Sequence, residues 1–229
     1  MAPDKTHFHP SGTVYGTLLN FRREREVFAP QMTQAPYKAP PSAPVLYVKT
    51  ANTFSANGSA VPVPAKMPAV EVGATIAMVF GSVSHTNKAQ SAAQKIAFWV
   101  LMNDFSIPHA SYFRPPVKFK CLDGFLGVGS ECVSAQTLGD VTGVTLEVRV
   151  NGELKQTLDF SNLVRDAASL TRDVASFMTL REGDVLMLGL DCLPGGGRPL
   201  AHVGDRIDIS SPSHPAFGVL TNTLVGESA

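Results

Sequence analysis

The stretch AFWVLMNDFSIPHASYFRPPVKFKCLDGF, from Ala97 to Phe125, decides how the rest of the chain is read. It opens with the apolar, β-branched and aromatic run Ala97–Met102 and then delivers an amide and a carboxylate together, Asn103 and Asp104, where a buried strand reaches its end. A polar pair in that place faces a cleft. A Pro-punctuated loop follows, carrying His109, Arg114 and Pro115-Pro116. The alternation in Val117–Cys121 predicts a short strand with Lys118 and Lys120 on one side and Phe119 on the other. One carboxylate and up to three cations thereby converge from two strands and their loop, a set suited to a small carboxylated, metal-bound or metal-free, molecule. Residue types alone leave another reading open. An Asp after a strand also serves as a turn former, and lysines at alternate positions also make a solvated face.

At 229 residues, 44% hydrophobic and 17% charged, the chain can bury a substantial core. All-β folds of this size commonly stay whole, so a single domain over residues 12–229 is expected behind a flexible tail, residues 1–11. Nineteen basic residues balance nineteen acidic ones, and no basic run carries interleaved aromatics, so neither nucleic acid nor membrane is an expected partner. No apolar run reaches the roughly 20 residues of a membrane span. Cys121, Cys132 and Cys192 lack metal-site spacing and read as reduced, small hydrophobes of a cytoplasmic protein. His7 and His9 are close enough to share a metal, but a Pro-containing terminal tail is read as unstructured.

Working outward, Thr13–Asn20 reads as a first strand ending in the charged segment Phe21–Glu26, FRRERE, which suits a solvated turn or short helix as well as a basic lip over a cleft. The Pro-rich Ala35–Pro44 leads to a strand at Val45–Val48, and residues 54–69 look like an edge or loop. Ala74–Phe80, ATIAMVF, is apolar on both faces and predicts a central buried strand. Helices are expected over 86–96 and 162–179, the second in one or two pieces, with Leu163, Ala167, Leu170, Val174 and Phe177 as its inward stripe. Between them Asn151-Gly152 marks a hairpin over 144–160, with Leu154 and Thr157 on its returning arm. Strands at Val185–Leu190 and Arg206–Ile209 complete a mainly β (α+β) chain with two or three short helices; the Gly195–Gly197 triplet lacks the context of a phosphate loop and reads as a flexible loop. No nucleophile elbow, Walker-type loop, dinucleotide fingerprint or His-Glu-x-x-His is present.

The order of these pieces resembles the fumarylacetoacetate hydrolase superfamily and, within it, the isomerase/decarboxylase enzymes of homoprotocatechuate (4-hydroxyphenylacetate) degradation, particularly the N-terminal half of their fused form. The match rests on Leu19-Asn20, APYKAPP at 35–41, Val48-Lys49 with Asn52-Thr53, Gly73–Gly81, Asn103-Asp104, Tyr112–Pro115, KFKCLDG at 118–124, Asn151–Glu153, Phe177–Leu180 and Gly183-Asp184. It implies a mixed β-roll or sandwich like that family's C-terminal domain. It also implies a magnesium-like cation that chelates a 2-oxo acid and stabilises its enolate.

Carried over residue by residue, the metal-binding Asp is Asp104 and the substrate lysine is Lys120. The family's Glu-x-Glu pair falls on Gly73 and Thr75, with Glu71 as a partial substitute; its lid falls on FRRERE, offering Arg23 and Glu24; its Thr-Gly-Thr-Pro becomes Leu188–Asp191. One carboxylate holds Mg²⁺ weakly or not at all. The resemblance therefore implies a subunit of the isomerase/decarboxylase acting on 5-oxopent-3-ene-1,2,5-tricarboxylate or 2-hydroxyhepta-2,4-diene-1,7-dioate type acids. Asp104 or Glu24 would handle protons, and Lys49, Asn103, Arg114 and Lys120 would bind substrate. The other reading is a non-catalytic, metal-free subunit paired with a metal-competent paralogue. A homodimer or such a hetero-oligomer is the expected assembly.

Overall fold

The computed structural model describes residues 8–35, 38–82, 96–109 and 116–227. Strand β1 (Val14–Leu18) leads into helix α1 (Arg22–Met32), and β2 (Val45–Lys49) returns antiparallel to β1. A 3-10 turn at Ala51–Thr53 passes to the short strands β3 (Phe54–Ala56), β4 (Ala60–Val63) and β5 (Val70–Glu71), and then to β6 (Ala74–Phe80) and β7 (Ile96–Asp104). The single helical turn α2 (Val117–Lys120) precedes β8 (Leu126–Ser134), a second such turn α3 (Ala135–Leu138), and the hairpin of β9 (Thr145–Val150) and β10 (Glu153–Asp159). Helix α4 (Ala167–Ala175) is followed by β11 (Val185–Met187), β12 (Leu200–Ala201), β13 (Arg206–Ser210) and β14 (Val219–Gly226).

These strands form a seven-stranded mixed sheet, β2-β1-β11-β6-β7-β8-β3, a five-stranded sheet, β10-β9-β13-β14-β4, and the ribbon β12-β5. Strands β2 and β3 lie at opposite edges of the larger sheet although only the turn Ala51–Thr53 separates them in sequence, so that sheet rolls until its edges approach. One of its faces packs on the smaller sheet through Ile76, Leu101, Leu146, Val148, Ile209 and Leu220, all buried. Val14, Ala77, Val100, Met102, Val185 and Met187 fill the inside of the roll. Gly16 makes this possible at one point: a Cβ there would lie 2.0 Å from Tyr47 Cζ, so its absence lets the tyrosine ring lie across β1.

All seven residues of β6 are buried, as its unbroken apolar run predicts. The hairpin turn sits at Asn151 (φ 52°) and Gly152 (φ 81°), both positive as a two-residue turn of this hand requires. The register shifts between Leu154 and Gln156, so Gln156 and Leu158 face inward while Leu154 and Thr157 point out, contrary to simple alternation. The second helix begins only at Ala167, where Asp166 accepts from the Ser169 N–H at 2.7 Å, and its stripe is buried as far as Val174; Phe177 lies beyond its end and is exposed. The helix expected over 86–96 lies outside the described residues except for Ile96, which opens β7.

Two local expectations reverse near the cleft. Val117–Lys120 is a helical turn, closed by Lys120 N–H to Pro116 O at 2.8 Å and Cys121 N–H to Val117 O at 2.9 Å. Lys118 is therefore exposed and Lys120 buried instead of sharing a side. Phe21–Glu26 is the start of an 11-residue helix and is not wholly solvated: Phe21, Glu24 and Met32 are buried along one side. At the other end of the chain, β14 alternates buried Leu220, Asn222 and Leu224, a strand the polar Asn222 hides from periodicity. Among the described residues no helix is long and apolar enough to cross a membrane.

Candidate functional site

Strand β7 alternates so that Val100, Met102 and Asp104 face the inside of the roll, which leaves a carboxylate at the mouth of an apolar interior. The sequence answers it with two ammonium groups. Lys49 Nζ, at the end of β2, donates to Asp104 Oδ1 at 2.8 Å, and Lys120 Nζ, from α2, donates to Oδ2 at 2.8 Å. The Tyr47 hydroxyl donates to Oδ2 as well. Burial opposes the charge of Asp104, but the Lys120 and Lys49 charges and their hydrogen bonds outweigh it and hold the carboxyl far below its usual range. Burial, together with the adjacent carboxylate, pushes the Tyr47 phenol up, so it stays a neutral donor.

A second cluster lies across the cleft. Glu24 occupies a core-facing position of α1, is 1% exposed, and accepts from Arg198 Nη2 at 2.6 Å and from the Leu19 N–H at 2.7 Å. Leu19 takes a left-handed φ of 60°, rare for a branched residue, and the turn is pinned by Asn20, which donates to the carbonyls of Arg165 and Leu188 and accepts from the Arg165 N–H. Arg198 Nη1 also stands 3.5 Å from Glu71 Oε2. Burial raises the Glu24 pKa; the Arg198 charge and the Leu19 bond offset that in part. Lys120 moves down, first by burial and then by the Arg198 and Lys49 charges, against the pull of Asp104. A carboxyl shifted up and an ammonium shifted down thus line one cleft.

The cleft, about 310 Å³, is lined by Glu24, Glu71, His109, Lys120 and Arg198 on its polar side and by Leu19, Val27 and Phe28 on its apolar side. His109 stacks on Phe119 at 4.5 Å with the rings 5° from parallel, and its Nδ1 lies 2.9 Å from the Ile107 carbonyl. A carbonyl only accepts, so Nδ1 is the nitrogen that donates in this contact.

The divalent ion implied by the resemblance does not fit these residues. A Cβ at Gly73 would stand 2.4 Å from the Asp104 carbonyl oxygen, leaving no room for a glutamate on this backbone. Thr75 is fully buried and its hydroxyl donates to the Gly189 carbonyl at 2.6 Å. Both Asp104 oxygens already accept from ammonium groups, and Glu71 turns to Arg198. Among the described residues no three His, Cys, Asp or Glu side chains gather to hold a metal.

Glu24, Glu71 and Lys120 line one cleft, and Asp104 lies behind it, joined to it through Lys120. Lys49 does not reach the cleft: its protons go to Asp104 and to the carbonyls of Lys120 and Phe125, leaving none for substrate. Asn103 points to the opposite face of β7, between the sheets, with its Nδ2 3.5 Å from Asn222 Oδ1, because successive strand residues alternate. Arg114 and His7 lie outside the described residues, while His9 packs edge-on against Phe54. Sequence reasoning missed Arg198, which follows a glycine triplet read as mere loop; the available signal was a core-facing glutamate on α1 that needed a cation.

The fumarylacetoacetate hydrolase C-terminal family model matches residues 13–225. Over 220 residues the chain is 34% identical to the 4-hydroxyphenylacetate degradation bifunctional isomerase/decarboxylase of Escherichia coli, covering 94% of this chain and 48% of that protein. It therefore spans about half the length of that curated relative. In three dimensions it is similar to 5-carboxymethyl-2-hydroxymuconate delta-isomerase from Mycobacterium smegmatis, with a TM-score of 0.70, 24% identity, and coverage of 96% of this chain and 81% of that one. It is also similar to 2-hydroxyhepta-2,4-diene-1,7-dioate isomerase from Mycobacterium marinum, with a TM-score of 0.71, 23% identity, and coverage of 96% and 77%. These two likenesses show a shared fold. With the family model reaching from β1 almost to the end of β14, the chain belongs to the fumarylacetoacetate hydrolase family.

Proposed function

We propose that this chain is a cytoplasmic subunit of the isomerase/decarboxylase of 4-hydroxyphenylacetate catabolism, acting on acids of the 5-oxopent-3-ene-1,2,5-tricarboxylate and 2-hydroxyhepta-2,4-diene-1,7-dioate type, and that its own residues serve the isomerisation. The observation that carries this reading is Glu24, a carboxyl held on the buried side of α1 with a raised pKa, in one cleft with Lys120 and Arg198. Ketonising a 2-hydroxydiene acid breaks the hydroxyl O–H bond, forms a carbonyl and adds a proton at the far carbon of the diene. Glu24 as carboxylate takes the first proton and returns it to carbon. Lys120, kept in place by Asp104, sets a positive charge beside the oxygen that becomes enolate-like. No step is assigned to a metal, since Gly73 and Thr75 supply no ligand.

Supporting the second reading, a non-catalytic subunit that lends its fold to a metal-competent paralogue, is the engagement of both Asp104 oxygens by lysines. One experiment separates them. The purified chain alone is mixed with the dienol acid and its ultraviolet absorbance followed, with and without a chelator and with and without the candidate partner. Chelator-insensitive turnover that disappears in Glu24→Gln supports isomerisation by this chain; turnover only after mixing supports the structural subunit.

A further inference from the structure

We propose that Arg198 is the receptor for the distal carboxylate of a linear dicarboxylate, and that Glu71 stands in for that carboxylate in the ligand-free chain. This rests on the functional reading above and names how its substrate class is recognised. The loop that delivers Arg198 is built tightly: Leu193 N–H donates to Gly197 O and Gly196 N–H to Leu193 O, each at 2.9 Å, and Gly195, Gly196 and Gly197 all take positive φ. Such a loop sets the guanidinium against the cleft wall from a fixed point.

The guanidinium's contacts are unequal. Nη2 donates to Glu24 at 2.6 Å, while Nη1 reaches Glu71 only at 3.5 Å, and the buried Nε–H has no acceptor among the described residues. An arginine offers its N–H donors in a planar fork suited to carboxylates, and a buried donor without an acceptor is costly. The guanidinium therefore keeps one firm partner, one loose anion and one unused donor, on a residue that lines the same cleft as Lys120. Lys49, the other buried cation, has no proton left to give. A ligand with a carboxylate at each end puts one on Lys120 and exchanges the other for Glu71 on Arg198, with its hydrocarbon middle against Leu19, Val27 and Phe28. A monocarboxylate leaves the Glu71 contact in place.

The test measures calorimetric affinities for heptanedioate and heptanoate on the full chain, with thermal melting as the folding control. Wild type is expected to prefer heptanedioate about tenfold to a hundredfold, the value of one charge-assisted pair. Arg198→Lys should remove most of that preference while leaving heptanoate affinity unchanged. Glu71→Gln should tighten heptanedioate severalfold without affecting heptanoate, which a merely structural Glu71 would not do, and it carries the test should Arg198→Lys not fold. A preference that survives Arg198→Lys, or a Glu71→Gln variant that binds heptanedioate more weakly, overturns the assignment of Arg198 alone. Wild type binding neither acid overturns it together with the functional reading beneath it.

Discussion

Lys49 Nζ stands 2.8 Å from Asp104 Oδ1 with neither side chain exposed to any extent, at the end of β2 and of β7 respectively. Its other donors satisfy the carbonyls of Lys120 and Phe125, so one ammonium group ties two segments of the cleft wall to the roll. Lys49→Met keeps the bulk but leaves Asp104 short of one counter-charge, takes the lysine donor from the Lys120 carbonyl, and leaves the Phe125 carbonyl with the Phe105 N–H. The expected cost is about 3–5 kcal/mol, since removing one partner of a buried pair leaves an uncompensated charge. Guanidinium unfolding should show a lower midpoint with an unchanged slope. A loss below about 1 kcal/mol, the range of an exposed pair, would show the contact to be ornamental.

The acid sensitivity of the fold has a predictable sign. Asp104 titrates below its ordinary 3.8, chiefly through Lys120 and Lys49 acting against burial. Between 3.8 and that lower value the unfolded chain binds the proton and the folded chain does not. The carboxylate's contribution is thus complete above 3.8 and lost as pH falls through the folded value. Stability of wild type should fall steeply as pH drops below 3.8, whereas Asp104→Asn, already less stable at neutral pH, should lack this component. Parallel curves for the two proteins would refute the account.

Restoring the family's acidic pair should not restore a metal. Gly73→Glu places a Cβ where the Asp104 carbonyl stands, and Thr75→Glu removes the hydroxyl bond to Gly189 and inserts a charge into a fully buried strand. A ligand that binds only the folded state raises its melting temperature in proportion to the logarithm of its concentration. The double variant is expected to melt earlier than wild type and to show no shift with millimolar MgCl₂. A magnesium-dependent rise would mean that the backbone at Gly73 relaxes and that Lys49 and Lys120 yield Asp104 to the ion.

What was legible in the sequence was what short-range chemistry decides. The apolar run of β6 and the Asn151-Gly152 turn need no partner to be recognised, and Asp104 with Lys120 stood out as charge beside a buried strand. The side on which Lys120 falls did not: VKFK alternates like a strand, and only Pro116 at its head and the demand of Asp104 for a second cation select the helical turn. Asn103 and Asn222 illustrate the converse. Each interrupts an apolar alternation on its own strand, and each is buried because the other faces it across the two sheets. Arg198 was invisible for the same reason, its partners Glu24 and Glu71 lying 174 and 127 positions away along the chain.

Glu24 couples that distant pairing to activity. Burial raises its pKa above the ordinary 4.5, with Arg198 and the Leu19 N–H opposing. If it takes the proton from the substrate hydroxyl it must be ionised, so kcat/KM should fall as pH drops through the raised value, placing the acid limb above 4.5. Stability runs the other way: in that window the folded chain binds the proton and the unfolded chain does not, so stability falls as pH rises through it. Glu24→Gln should lower kcat/KM by about 10²–10⁴, abolish the acid limb in the residual rate, and flatten the stability slope. It also leaves Arg198 without a close counter-ion, so the melting temperature and dicarboxylate affinity of Glu24→Gln, measured beside its rate, separate lost proton transfer from a disturbed fold. A Glu24→Gln variant that melts with wild type, binds the dicarboxylate as wild type does and is still inactive assigns the loss to the carboxyl, whereas one retaining more than about a tenth of wild-type kcat/KM removes Glu24 from the proton path.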